Sequence, residues 1–149
     1  MNPHPDFADG KVPQSVTLGI FRMDMLTADD LDADYAAVMA SRNVLQGVFA
    51  PGWPVGMTRE EDALDLNWHH REFIANRSYA WVVRTHDHGY VGCAYLYPDI
   101  GTTGSGTAVY WMIDAPERPK WLEAFGPQYT EWLRTYLPAG YDLNVINNA

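Results

Sequence analysis

The chain has 149 residues, of which 47% are apolar and 19% are charged, and its formal net charge is −9. This length and composition are typical of one globular domain and exclude a disordered chain. The acidic charge excludes nucleic acid and an anionic membrane surface as partners, because both require a basic face on the protein. The same charge would favour a cationic or amine-bearing ligand, but a high negative charge more often serves only to keep a protein soluble.

The two ends of the chain and its single cysteine set the expected organisation. Residues 1–14 contain Pro, His and Asp but no apolar run, so we expect a flexible arm rather than a signal peptide. Residues 15–149 are then one domain. Cys93 is the only cysteine, which excludes an internal disulfide and is consistent with a reducing cytoplasm.

The first half of the domain predicts one strand and two helices. Val16–Met23 is the strand, and Thr27 with Asp30 has the form of a capping box that begins a helix over Ala28–Arg42. Several Gly and Pro residues occur in Asn43–Met57, and this pattern predicts a loop. A second helix follows Thr58 and should end near Asn76. Its apolar face is predicted to carry Leu64, Trp68 and Ala75.

The centre of the chain predicts a sheet of neighbouring antiparallel strands. Aromatic and β-branched residues dominate Tyr79–Arg84, Tyr90–Tyr97 and Thr107–Ile113. An amphipathic helix and a last short strand, Tyr141–Ile146, come after them. The predicted class is therefore α+β, in the order β-α-α-β-β-β-α-β, with helices packed on a mostly antiparallel central sheet.

Three segments of the chain carry a recognisable pattern: Asp65–Phe73, Tyr79–Val83 and Val91–Pro98. They resemble the GNAT superfamily of N-acetyltransferases, and in particular a group of small bacterial GNAT-like proteins. The similarity extends over about Leu18–Leu137. The resemblance implies transfer of an acetyl group from acetyl-CoA, as co-substrate, to a small-molecule amine. Relative to the superfamily, the pattern predicts a shortened C-terminus.

The resemblance also implies where the coenzyme and the acceptor bind. Two neighbouring strands would splay apart, and pantetheine would lie in the gap against the backbone of Trp111, Met112 and Ile113. Arg118 and Lys120 would face the phosphates. The first two helices and the loop between them, including Trp53, would line the acceptor side.

The phosphate-binding loop departs from the superfamily pattern [QR]-x-x-G-x-[GA]. The best-placed match begins at Arg118, but its glycine positions hold Trp121 and Glu123. Side chains there obstruct a close backbone approach, and Glu123 repels phosphate, although Arg118 and Lys120 compensate in part. A non-catalytic relative that binds a small molecule or a partner is therefore the alternative. A homodimer through exposed aromatic side chains is compatible with both.

The candidate chemistry lies on the second helix and on the middle strand. His69 and Glu72 are three residues apart and share a helix face, where they would deprotonate an ammonium substrate. The alternative is a solvated polar face. We expect no metal site, because the helix lacks a further ligand. Tyr95 and Tyr97 share a strand face and predict either an aromatic pocket for a cation or core packing.

Overall fold

The computed structural model describes residues 1–149 as one six-stranded sheet with helices on both faces. The strands are β1 (Ser15–Leu18), β2 (Phe21–Met25), β3 (Tyr79–Thr85), β4 (Gly89–Pro98), β5 (Ser105–Met112) and β6 (Asp142–Asn147). The helices are α1 (Leu31–Ala40), α2 (Arg42–Leu45), α3 (Arg59–Ile74) and α4 (Arg118–Arg134). Short 3₁₀ turns cover Pro5–Phe7 and Ala28–Asp30. None of the helices is both long enough and apolar enough to cross a membrane.

The order of the strands in the sheet is the same as their order in the sequence. Neighbouring strands are antiparallel from β1 to β5, and β6 joins β5 in parallel after the α4 crossover. The α+β class and the antiparallel arrangement of the three central strands are therefore confirmed. Thr27 and Asp30 form the predicted capping box, which begins the turn that leads into α1.

The predicted first strand, Val16–Met23, is wrong in one respect, because it is a hairpin of two strands. Gly19 turns the chain with a φ of 59°, a conformation that glycine adopts without steric cost. A side chain at this position would also meet the Gln128 amide on α4, 2.7 Å away. A further difference is α2, which occupies the beginning of the predicted loop.

Each face of the sheet has its own core. The face under α4 buries large aromatic residues, and the helix contributes Leu122, Phe125, Tyr129 and Leu133 to it, as its apolar stripe predicts. The opposite face packs against α1 and α3. There the predicted face of α3 is wrong: Leu64 is 72% exposed, and Leu66 and Phe73 are buried instead.

Residues 1–14, which we expected to form a flexible arm, pack against the sheet in this structure. Phe7 and Val12 belong to the core beneath α4. The backbone N–H of His4 donates to the carbonyl of Asn76, and the Trp81 indole donates to the carbonyl of Pro13 at 3.1 Å. These contacts place the N-terminal segment along the edge of the domain.

The gap that the resemblance implies between two neighbouring strands, which here would be β5 and β6, is not open. The pairing of β5 with β6 runs without interruption from Ser105 opposite Asp142 to Tyr110 opposite Asn147. Beyond it, the buried side chain of Asn148 continues the contact: its amide accepts from the Met112 N–H at 3.0 Å and donates to the Met112 carbonyl at 2.8 Å. The sheet is therefore closed along this edge.

Candidate acceptor site

A cavity of about 620 Å³ opens on the face of the sheet that carries α1 and α3. The loop between α2 and α3 forms one wall, and β4 forms the floor. Among its lining residues are five aromatic side chains: Phe49, Trp53, Trp68, Tyr95 and Tyr97. Four acidic side chains also line it: Asp34, Glu61, Asp62 and Asp65. No lysine or arginine does.

The aromatic wall brings together the three residues that the sequence assigned to a substrate pocket. The rings of Tyr95 and Tyr97 stack side by side at 5.8 Å, because side chains two apart on β4 share one face. Phe49 lies edge-on between the loop and the strand, 4.8 Å from Trp53 and 4.9 Å from Tyr95. The loop is thus held against the sheet by aromatic contacts.

Two buried carboxyl groups lie at the base of this cavity, and sequence reasoning missed both. Asp34 on α1 is 3% exposed, and Asp62 on α3 is 2% exposed. The two carboxyl groups lie close enough that each shifts the pKa of the other. Asp34 also accepts from the hydroxyl of Tyr90, which lies close to the Cys93 thiol. The available signal was that Asp34 lies one helical turn before the apolar Val38, which is also buried, on the predicted first helix.

Burial shifts the acid–base behaviour of this cluster. It is the main cause that raises the pKa of Asp62 to about 8, and the contact with Asp34 and the charges of Asp34 and Asp65 act in the same direction. Burial also raises the pKa of Asp34. The pKa of the Cys93 thiol is raised by burial as well, so this cysteine is a small apolar residue and not a nucleophile.

His69 lies in the cavity wall and is 4% exposed. Its Nε2 is 3.3 Å from the carboxylate of Asp65, one helical turn earlier, and its ring centroid is 5.3 Å from that of Tyr95. Its Nδ1 has no hydrogen-bond partner. In the tautomer in which Nε2–H donates to Asp65, Nδ1 carries a free lone pair.

Glu72 and His69 are not brought into the same cavity. Glu72 is bound to Arg77 at 3.3 Å and lines a second cavity of about 420 Å³, next to the loop after β4. Only Trp68 and Tyr97 line both cavities. The two candidate catalytic residues therefore have different surroundings.

The residues assigned to the coenzyme lie at the C-terminal end of β5 and the beginning of α4. Met112 directs its N–H and carbonyl toward Asn148, whereas the N–H of Ile113 donates to Val91 on the opposite side. Trp111 is buried, and its indole N–H donates to the Tyr95 hydroxyl at 3.1 Å. Trp111 therefore connects the end of β5 with the cavity.

The phosphate-binding positions at the beginning of α4 are partly blocked. Arg118 donates to the backbone carbonyl of Asn148, and Lys120 is exposed. Trp121, at the first glycine position, is buried against the sheet, and its ring is 4.9 Å from that of His88. Glu123 is exposed. A cavity of about 470 Å³ nevertheless lies between this turn and the end of β6.

Solved structures that this chain resembles include acetyltransferases. The RimL ribosomal L7/L12 α-N-protein acetyltransferase in complex with coenzyme A has a TM-score of 0.68 and 9% identity over 83% of this chain and 70% of its own. The chain has the GNAT acetyltransferase fold. The microcin C7 self-immunity acetyltransferase MccE, in complex with acetyl-CoA and AMP, has a TM-score of 0.67 and 9% identity over 92% of this chain and 75% of its own.

A third GNAT structure shows the same likeness. The ribosomal-protein-S5-alanine acetyltransferase of Vibrio fischeri has a TM-score of 0.61 and 13% identity over 81% of this chain and 67% of its own. At these identities the likeness establishes the fold alone. No protein-family model and no curated protein sequence matches the chain.

Proposed function

We propose that the protein transfers an acetyl group from acetyl-CoA to an amine. The amine is held in the cavity of about 620 Å³ between α1, α3 and β4, which we call the acceptor cavity. The observation that carries the proposal is the lining of that cavity, in which aromatic rings and carboxyl groups converge without any lysine or arginine. Aromatic faces and carboxylates both stabilise a cation. The cavity also lies where the resemblance implies an acyl acceptor, between the first helices of a GNAT fold.

His69 is the residue that we assign to proton transfer. An amine attacks a thioester only after its ammonium form has lost a proton. The unpartnered Nδ1 of His69 is a buried acceptor in the cavity wall, and Asp65 orients the ring through Nε2. Bound acetyl-CoA would supply the thioester carbonyl, and coenzyme A would leave as the thiol.

The edge of β5 fits one part of the coenzyme. The N–H and carbonyl of Met112 already hold a carboxamide, that of Asn148, by a pair of hydrogen bonds. The amide groups of pantetheine offer the same donor and acceptor, so they would take this place once the Asn148 side chain moves away. Arg118 and Lys120 would then face the phosphates.

A second candidate function is amine binding without transfer. It is favoured by the closed β5–β6 edge and by Trp121 and Glu123, which occupy the glycine positions of the phosphate loop. In that case the acceptor cavity would be a receptor site, and coenzyme A would have no role.

Coenzyme binding separates the two functions. We expect acetyl-CoA to release or absorb heat in calorimetry and to raise the melting temperature, because a ligand of the native state stabilises it. An amine screen with detection of free thiol then measures transfer. If millimolar acetyl-CoA produces neither heat nor a thermal shift, the transferase function is rejected and the receptor function stands.

A further inference from the structure

The acidic side chains of the acceptor cavity lie at two depths. Asp34 and Asp62 are buried at the base, whereas Asp65 is 59% exposed and Glu61 is also exposed, so these two lie at the mouth. The α3 helix carries acids of both levels, because Glu61 and Asp62 are adjacent in its first turn and Asp65 follows Asp62 by three residues on the same side. A ligand that enters the cavity therefore passes carboxylates at both ends of its path.

The base of the cavity requires a hydrogen-bond donor. Oδ2 of Asp62 and Nδ1 of His69 have no hydrogen-bond partner, although both residues are more than nine-tenths buried. A buried acceptor without a hydrogen-bond donor lowers the free energy of unfolding, and a ligand that supplies a donor removes this cost. An ammonium group carries several N–H donors, whereas a quaternary ammonium group carries none.

The charge of the cavity exceeds that of one cation. Asp34 and Asp62 lie together in the cavity lining, and because the pKa of Asp62 is raised to about 8 it is protonated at neutral pH, so the two contribute at most one negative charge. Glu61 and Asp65 add one each at the mouth. A monoamine that binds at the base leaves the carboxylates of the mouth without a counter-charge.

We propose that the ligand of this cavity is a diamine or a polyamine. Its inner ammonium group lies against Asp62 and His69, and its second ammonium group lies at the mouth with Glu61 and Asp65. The apolar chain between the nitrogen atoms packs on Phe49 and Trp53. This inference deepens the proposed function, on which it rests, because it names the class of amine held in the acceptor site.

Calorimetry without acetyl-CoA tests the inference directly. The probes are 1,4-diaminobutane and 1,6-diaminohexane, and each is compared with the amino alcohol of equal length and with its bis-trimethylammonium derivative. We expect each diamine to bind at least about tenfold more tightly than both of its partners. Equal affinity of diamine and amino alcohol, tighter binding of the quaternary compound, or no heat from any probe would overturn the inference.

A double variant and its control show whether the mouth of the cavity binds the second ammonium group of the diamine. In the double variant Glu61→Gln with Asp65→Asn, we expect the advantage of the diamine over the amino alcohol to disappear. Glu60→Gln is the matched control, since Glu60 is exposed on the same helix and does not line the cavity. An advantage that persists in the double variant contradicts the assigned position of the second ammonium group.

These measurements also separate this inference from the proposed transfer. If a diamine binds with the expected preference but yields no thiol with acetyl-CoA, the ligand is a diamine or polyamine and the proposed acetyl transfer is wrong. If monoamines and diamines bind with equal affinity and both are acetylated, the proposed acetyl transfer stands and the assignment of a diamine or polyamine as the ligand is wrong.

Discussion

Asp62 on α3 lies against Asp34 on α1, close enough that each carboxyl group shifts the pKa of the other, and both are buried at the base of the acceptor cavity. Two carboxyl groups that are buried this close together do not both ionise at neutral pH, so Asp62, whose pKa is raised to about 8, keeps its proton there. The pair is the only place where the two helices meet through acidic side chains that are both buried. It therefore links the stability of the fold to the charge of the cavity.

The first prediction concerns the pH dependence of stability. The Asp62 carboxyl loses its proton near pH 4 in the unfolded chain but only near pH 8 in the folded one. Between these values the folded state binds more protons than the unfolded state, so the free energy of unfolding falls as pH rises and levels off above about pH 8. Asp62→Asn should reduce this decline to the share that the raised pKa of Asp34 contributes, and it should stabilise the protein at about pH 9 by more than about 1.4 kcal/mol.

Urea unfolding at about pH 5 and about pH 9 measures this effect, with Glu60→Gln as a control that changes the net charge equally. The control should follow the pH dependence of the natural sequence. If Asp62→Asn declines with pH as steeply as the control, the carboxyl pair is not the source of the dependence.

The second prediction concerns the hydroxyl group that joins β4 to β5. Trp111 donates its indole N–H to Tyr95, and both side chains are buried. Tyr95→Phe leaves this N–H without a partner, which should lower the free energy of unfolding by about 1–3 kcal/mol. Tyr97→Phe is the matched control, because its hydroxyl makes no such contact, and its effect should stay within about 0.5 kcal/mol. Equal losses in the two variants would contradict the role of the hydrogen bond.

The order of the strands and helices was predictable because local chemistry determines it. Runs of aromatic and β-branched residues between glycine-containing turns mark β3 to β5, and capping residues mark the beginning of two helices. The hairpin at Gly19 was missed because Val16–Met23 is apolar on both sides of it. Tyr95 and Tyr97 were predictable as neighbours because they share a strand face, whereas Trp53 was assigned to the acceptor side only by the resemblance.

The charged part of the site was less accessible to sequence reasoning. Asp34 and Asp62 meet only because α1 packs against α3, and no motif records a contact between distant helices. Glu72 shares a helix face with His69, but the side chain of Arg77 binds it outside the acceptor cavity. Asn148 has no recognisable pattern at all, since its role depends on the backbone of a strand far away in the sequence.

The third prediction concerns the Asn148 side chain, which occupies the edge where the proposed function places pantetheine. Asn148→Ala leaves the buried N–H and carbonyl of Met112 unpaired and should lower the free energy of unfolding by about 1–3 kcal/mol. Because the same groups then become available to a ligand, acetyl-CoA should bind more tightly to this variant. Asn144→Ala, at an exposed position on β6, should change neither quantity.

Calorimetry of acetyl-CoA with the two variants and the natural sequence provides the measurement. Weaker binding to Asn148→Ala than to Asn144→Ala would mean that Asn148 assists the coenzyme instead of standing in its place. The loss of stability is expected in either case, so it serves as a check that the side chain was removed from a buried contact.

The fourth prediction assigns proton transfer to one of two residues on α3. His69→Gln keeps a polar side chain in the cavity but removes the base, so the rate of acetyl transfer should fall by about 10²–10⁴-fold. Glu72→Gln should retain most of the rate, because Glu72 lines the other cavity and binds Arg77. His70→Gln is the matched control: His70 is the next residue on the helix and lies outside the acceptor cavity.

Initial rates of thiol release over a pH series compare the three variants. If His69 acts as the base, its replacement should lower kcat more than it raises KM, and addition of small buffer bases such as imidazole should partly restore the rate. If the rate is retained in His69→Gln but lost in Glu72→Gln, the base is Glu72 in the second cavity. In that case the substrate must reach past Trp68 and Tyr97, which line both cavities.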